Sequence, residues 1–304
     1  MVEIFEVGPR DGLQNEKNVL SLQDRVWLIE SLSQAGLHSM EVGSFVRADR
    51  VPQMAESDLL PDWLKSLQKT QLFYLVPNLK GLERAITKGV KNIAVFTAVS
   101  DSFNKNNIGM SVDESFQVIG DIVTSAKSHG IRVRGYVSTV WGCPFEGRIE
   151  ATRAIPVLER MLALPIDQLS IGDTIGVAAP VGVREVLFPL LKTHGPSRLA
   201  VHFHDTRGTA LANALASLEL GINAFDASVG GLGGCPFAPG ASGNLATEDL
   251  IYLFKEMGIE TGVNYKMLCE TSLELAKKMG GRALPSRALR AYQSNCASNN
   301  SWDK

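Results

Sequence analysis

Short apolar runs alternate with longer stretches of helical period along almost the whole chain. Residues 4–7 carry Ile4, Phe5 and Val7 and read as a strand. A polar loop over 8–16 follows. Residues 21–35 then set Val26, Ile29 and Leu32 on one helical face before Gly36. The cycle repeats, with strands predicted at 38–42, 72–76, 92–97, 132–138, 168–171, 199–204 and 223–229. Helices are predicted near 53–60, 79–88 and 112–129, after Glu150, after Pro180, and over 209–220 and 245–257, with one more around 265–279. A longer polar loop with Asn104, Asn106 and Asn107 separates the fourth strand from its helix. Residues 295–304 are polar and read as a flexible tail.

Eight strand-then-helix units without a break predict a single (β/α)8 TIM barrel with an extra C-terminal helical segment. One catalytic domain then spans 1–304, with its core at about 3–280. Gly36, Gly130 and Gly221 each precede a strand, where a helix would end. A doubly wound open sheet alternates in the same way, but eight regular units favour closure. No dinucleotide fingerprint follows the first strand. The glycines at 230, 231, 233 and 234 lack that spacing.

The 304 residues hold 30 basic and 32 acidic side chains, a formal net charge of -2, with no basic block. That leaves no extended positive field for nucleic acid, although a local cationic patch can still hold a phosphate. No apolar run is long enough to span a bilayer, so no membrane partner is expected. Cys143, Cys235, Cys269 and Cys296 match neither a zinc ribbon nor a disulfide framework and read as reduced thiols. The start of the chain looks like a strand rather than a signal peptide. These readings predict a cytoplasmic protein that acts on a small molecule.

In such a barrel the reacting groups gather where strands finish and βα loops begin. Arg10 and Asp11 follow the first strand, Glu41 ends the second, Asp173 follows the sixth and His202 and His204 close the seventh. Asn244 comes after the loop that leaves the eighth. Closure makes the ends of strands one, seven and eight neighbours. Residues i and i+2 of a strand share a face, so His202 and His204 can grip one cation while Phe203 points to the helix layer. Asp11 and the Asn244 amide oxygen would complete a set of two nitrogens and two oxygens. An oxygen-rich six-coordinate site favours Mg2+ or Mn2+, and two imidazoles move the balance toward Mn2+, cobalt or iron. Asn244 also fits a helix N-cap before Leu245, and Glu248 fits either a supporting acid or a helix start. Arg10 offers a rigid fork of donors for a developing enolate oxygen, with Glu41 to hold it in place. Asp173 can orient water or a substrate hydroxyl. Cys235 lies in the glycine- and proline-rich stretch 230–243, whose composition suits a lid that brings a thiol to deliver a proton. Lys105 and Arg148 are candidates to meet a phosphate, and residues 136–139 to touch substrate.

These residues resemble the 3-hydroxy-3-methylglutaryl-CoA lyase family, and more broadly the metal-dependent barrel lyases and Claisen-type synthases. The likeness lies in residues 8–16, 41–45, 170–176, 202–208, 230–238 and 243–249, and covers nearly the whole chain. The Arg10–Asp11 and His202–His204 elements are shared across the wider group. The run from Leu13 to Glu16 and the cysteine-bearing glycine loop are specific to the lyase. The resemblance implies cleavage of (S)-3-hydroxy-3-methylglutaryl-CoA to acetyl-CoA and acetoacetate, Mg2+ or Mn2+ as cofactor, an acyl-CoA thioester as partner and a homodimer. It maps the metal ligands to Asp11, His202, His204 and Asn244, the catalytic arginine to Arg10 and the lid cysteine to Cys235. Glu41 and Asp173 match further active-site acids, and Cys296 matches a cysteine linked in some members to thiol control. Animal members carry a targeting leader and a peroxisomal ending. Neither is seen here, where the sequence closes with Ser301 to Lys304, so a bacterial-type cytoplasmic enzyme is expected. Asp11 and His202 stand as alternatives for the base that takes the hydroxyl proton. Cys235 and His202 stand as alternatives for the acid that protonates the enolate. The alternative function is a related Claisen-type synthase, or a lyase for a homologous 3-hydroxy-3-methylacyl-CoA.

Overall fold

The computed structural model of the chain describes residues 2–234 and 243–298. In chain order its strands are β1 (Glu3–Glu6), β2 (Ser39–Ser44), β3 (Gln71–Leu75), β4 (Asn92–Ala98) and β5 (Arg132–Ser138). There follow the short strands β6 (Gly142–Cys143) and β7 (Gly147–Arg148), then β8 (Gln168–Asp173), β9 (Leu199–Phe203) and β10 (Ala224–Ala227). All except β6 and β7, which form a small antiparallel hairpin, join one closed barrel in the order β1-β10-β9-β8-β5-β4-β3-β2. Every barrel pairing is parallel. This is the predicted (β/α)8 barrel.

The helices are α1 (Leu22–Gln34), α2 (Leu60–Trp63), α3 (Leu79–Thr87), α4 (Asp101–Ile108), α5 (Val112–Ser128) and α6 (Ala151–Leu162). They continue with α7 (Pro180–His194), α8 (Ala210–Glu219), α9 (Thr247–Glu256), α10 (Tyr265–Lys278) and α11 (Arg287–Ser298). Local caps explain several starts. Ser111 and Glu114 form a reciprocal capping box at α5, and the Asn78 side chain accepts the Gly81 N–H at α3.

Three elements depart from the pattern read in the sequence. The helix expected near 53–60 is a 3-10 turn at Pro52–Met54 followed by the four residues of α2. Pro61 suits only the first turn of a helix, so it opens one where periodicity had a helix ending. The asparagine-rich stretch expected as a loop is α4. Ser100 caps it by accepting the Phe103 N–H, and Gly109 at φ 74 ends it. Finally, α11 extends the packed chain past the core end expected near 280, and of the tail expected from 295, residues 295–298 close that helix while 299–304 lie outside the described residues. Buried Leu289 and Tyr292 hold that helix down, and Asp249 accepts the backbone N–H groups of Arg287 and Ala288 at its start. That cap comes from 38 residues upstream, so no local signal announced it.

Two apolar layers carry the fold. The larger lies between the sheet and the helices, with Leu28, Ile29, Val133, Leu158, Leu187 and Phe254 among its buried members. The smaller fills the barrel itself. Phe5 meets Phe73 edge-on at 5.1 Å, and Tyr136 clusters with Leu75, Ala94 and Phe96. Each fully buried side chain of this size stabilises the fold by about 1.5–3 kcal/mol. The barrel is therefore a plugged cylinder, and the large cavity lies at its C-terminal mouth.

Candidate metal centre

The turn after β1 is built to present two charged side chains. Residues Gly8–Gly12 wind one π-type turn, with the Arg10 and Gly12 N–H groups both donating to the Val7 carbonyl. This turn carries Arg10 and Asp11 over the barrel end. Glu41, in β2 at a local irregularity between Glu41 and Gly43, is fully buried beneath them. The Arg10 Nε donates to Glu41 Oε2 at 2.6 Å, and its Nη2 makes a second, shorter contact to the same oxygen. Arg10 Nη1 donates to Asp11 Oδ1 at 3.0 Å and to Gln14 Oε1 at 3.3 Å. Burial disfavours the guanidinium charge, but Glu41 and Asp11 outweigh it and keep Arg10 firmly protonated. Burial likewise pushes the Glu41 carboxyl up, against the pull of Arg10.

The paired histidines behave as strand alternation requires. Their ring centroids are 5.4 Å apart, whereas Phe203 packs on Trp141 at 5.7 Å. Trp141 donates to the Gly182 carbonyl of α7, so Phe203 faces the helix layer. Ligating atoms of Asp11, His202 and His204 lie within 4.8 Å of one another, the one such cluster found among the described residues. Asn244 joins them. It pairs with His204 in an isolated antiparallel bridge, and its Nδ2 donates to Asp11 Oδ2 at 2.8 Å and to the Leu232 carbonyl at 3.0 Å. Ala246, not Asn244, occupies the cap of α9, which disposes of the helix-cap reading.

Two tight backbone turns make this approach possible. A Cβ at Gly233 (φ 111) would stand 2.5 Å from Asn244 Nδ2, and one at Gly243 (φ 83) would stand 2.5 Å from the carbonyl oxygens of Gly231 and Gly233. Buried carboxylates hold the loop that leads there. Glu6 accepts the Gly8 and Val229 N–H groups and the Thr247 hydroxyl, and Glu248 accepts the Gly230 N–H and the Ser272 hydroxyl. Burial pushes both acids up to about 7. Glu248 therefore supports the site from below.

The donor set fits a divalent cation. The Asn244 Oδ1 and His204 Nδ1 atoms are buried with no hydrogen-bond partner among the described residues, as expected of atoms waiting for an ion. Burial, and next the neighbouring His202, lowers His204 to about 3, so its ring is neutral and able to ligate. Burial would raise Asp11, but Arg10, His202 and His204 hold it below the usual carboxylate range. Carboxylate, amide oxygen and two imidazoles suit Mg2+ or Mn2+.

Asp173 lies within electrostatic reach of His202 but supplies no atom to the ligand cluster. It ends β8 as a buried residue, and its two oxygens accept the Val177 and Ala178 N–H groups, each at 3.0 Å. It braces the loop after β8 rather than joining the cluster. Cys235 lies outside the described residues. Sequence reasoning missed Asp226 and Arg134. Asp226 pairs in register with His202 across β10 and β9, and its Oδ2 is 3.2 Å from His202 Nδ1. Arg134, in β5, donates to both Asp226 oxygens. Burial works against the Asp226 charge, yet Arg134 lowers its carboxyl to about 2. An acid amid the apolar run Ala224, Phe225 and Ala227 was the available signal.

A cavity of about 1110 Å³ opens above the cluster. Arg10, Asp11, His202 and His204 lie on its floor with Tyr136 and Ser138, and Arg47, Arg50 and Lys105 stand along its wall. Arg148 is absent from that lining and pairs with Glu150 on the surface.

A donor set of this kind, lining a cavity at the C-terminal mouth of a parallel barrel, defines the class of metal-dependent barrel enzymes. Within it, the chain belongs to the HMGL-like family, whose sequence model matches residues 1–274. It is 48% identical over 272 residues to the mitochondrial hydroxymethylglutaryl-CoA lyase of Macaca fascicularis, covering 88% of this chain and 83% of that protein. The solved hydroxymethylglutaryl-CoA lyase from Pseudomonas aeruginosa superposes with a TM-score of 0.93 at 42% identity, covering 97% of this chain and 98% of that one. An HMG-CoA lyase from Acinetobacter baumannii, solved with coenzyme A and 3-methylmalate, has a TM-score of 0.91 at 36% identity, covering 96% of this chain and 95% of that one.

These matches correct the cytoplasmic expectation. Relatives from Macaca fascicularis, Bos taurus, Pongo abelii, Homo sapiens, Gallus gallus, Mus musculus and Rattus norvegicus are all named mitochondrial. Among the described residues no helix is long and apolar enough to cross a membrane.

The electrostatics predict how cation binding follows pH. Burial disfavours the charged His202 ring, but the Asp226 carboxylate prevails and raises its pKa above the usual 6.5. A proton on His202 competes with the cation, so affinity falls as pH drops through that raised value. His204 and Asp11, both lowered, add nothing near neutrality. Mn2+ titrations between pH 6 and 9 should show affinity rising toward about tenfold per pH unit at the acid end, then levelling. A flat profile would count against this assignment.

Proposed function

We propose that the chain cleaves (S)-3-hydroxy-3-methylglutaryl-CoA to acetyl-CoA and acetoacetate, by a retro-Claisen break of the C2–C3 bond. One observation carries this reading. An oxygen- and imidazole-donor cluster lies beside a guanidinium locked on a buried carboxylate, at the floor of a cavity with a basic wall. A divalent cation, Mg2+ or Mn2+, held by Asp11, His202, His204 and Asn244, supplies Lewis acidity to a tertiary hydroxyl and carboxylate.

The protein's own groups account for the rest. Breaking the C2–C3 bond sends its electron pair to the thioester carbonyl, so an enolate oxygen gains charge. Arg10 lines the cavity and meets that charge. Its bonds to Glu41, Asp11 and Gln14 place four of the five guanidinium N–H donors and leave one for substrate. The group is thus oriented before substrate arrives and needs no reorganisation. Asp11 is held ionised, which suits it to a cation more than to carrying a proton. Lys105, Arg47 and Arg50 suit the phosphates of an acyl-CoA thioester. Asp173 takes part through the loop it braces. Residues 1–304 act as one catalytic domain.

The direct test incubates Mn2+-loaded protein with the thioester and quantifies both products. Acetyl-CoA and acetoacetate should appear in equal amounts, and protein stripped of divalent ions should be inactive. Acetyl-CoA consumption with a 2-oxo acid, and no cleavage, would mark a Claisen-type synthase instead. Arg10→Met should lower kcat by about 10²–10³-fold, the usual cost of one oxyanion donor, with Mn2+ affinity little changed. Equal losses in both would remove Arg10 from its assigned role.

We infer in addition a homodimer, supported by membership of this family. Sedimentation at micromolar concentration should give the mass of two chains. A single-chain mass across the whole concentration range would refute it.

A further inference from the structure

Asp226 lies in β10 under the cation cluster, with a side chain closed to solvent. Its Oδ1 accepts Arg134 Nη2 at 2.6 Å. Its Oδ2 accepts Arg134 Nη1 at 3.0 Å and Ser170 Oγ at 2.8 Å, and stands 3.2 Å from His202 Nδ1. An arginine paired this way, two nitrogens to two oxygens, keeps its partner ionised. An ionised carboxylate has no proton to give and can only accept. The hydrogen between it and His202 must therefore sit on Nδ1. A neutral imidazole carries one N–H, so Nε2 keeps its lone pair.

We propose that Asp226 is a positioning residue for the cation site, fixing His202 as the Nδ1–H tautomer so that Nε2 is the ligating atom, with Arg134 holding Asp226 in that role. This inference rests on the reading of His202 as a cation ligand. Register explains why it is Asp226 that does this, because Asp226 is the direct β10 partner of His202. Packing explains why the arrangement is rigid. The Arg134 guanidinium stacks 3.9 Å from the Phe5 ring, and its Nη1 also donates to the Tyr136 hydroxyl at 2.8 Å. Tyr136 lines the cavity, so one buried guanidinium ties the back of a ligand to the substrate wall. Carboxylate-backed ligands of this kind typically lose 10–100-fold in metal affinity when the backing group is removed.

The test uses full-length protein labelled with 15N-histidine, metal-free, at a pH where His202 is neutral. Long-range 1H–15N spectra, assigned with His202→Gln, should show Nδ1 protonated and Nε2 bare. In Asp226→Asn, Arg134 keeps the amide oxygen and turns the amide nitrogen toward His202. That nitrogen donates to Nδ1 and forces the proton onto Nε2. Mn2+ affinity, followed by the EPR signal of free Mn2+, should then weaken about 10–100-fold. A wild-type spectrum with the proton on Nε2 overturns the proposal, and does so even where the variant fails to fold. A folded Asp226→Asn with wild-type tautomer and affinity also overturns it, leaving the ligand reading intact. Unchanged Mn2+ binding in His202→Gln overturns both.

Discussion

A charge buried inside a barrel has to be compensated where it lies, and that constraint orders this protein from its centre to its mouth. Among the described residues the interior carries two arginine–carboxylate pairs, Arg134 with Asp226 and Arg10 with Glu41. Neither could persist unpaired, because a lone buried ion loses far more in hydration than packing returns. Such pairs contribute little net stability against an apolar alternative. What they contribute is position. Each fixes a planar group whose remaining donors or acceptors then face a chosen neighbour, His202 in one case and the cavity in the other.

The mouth inherits its geometry from those pairs and from closure of the sheet. Parallel pairing of β1 with β10, and of β10 with β9, brings the ends of the first and last strands together. Asp11 and Asn244, 233 positions apart in sequence, are hydrogen-bonded as a result. Two buried acids, Glu6 and Glu248, gather successive backbone N–H groups at Val229 and Gly230 and set the course of the loop toward Asn244. Strand alternation does the same for the histidines, sending both rings inward and Phe203 outward.

Much of this was legible in the sequence. The eight strand–helix units, and the site residues at strand ends, follow from short-range periodicity and from where polar groups interrupt it. Other features were not legible, for definite reasons. The α4 helix was hidden because its asparagines favour loops by themselves, while its cap and its left-handed glycine decide the matter locally. The α11 helix was hidden because Asp249 caps it from a distant element. Asp226 sits in a strand whose apolar pattern absorbs one charged position, and Arg134 in a strand that also carries Arg132. Only a view across strands shows that the two charges are mutual.

What the chain alone determined is the list of elements and the set of chemically capable residues, since both depend on periods of two and 3.6 and on side-chain type. What only the folded barrel decided is which of those residues meet. It placed Asn244 on Asp11 rather than on a helix end, and set Asp226 behind His202. Asn244 and Asp11 lie 233 positions apart and Asp226 and His202 lie on different strands, so register and closure bring them together, and no local pattern encodes that.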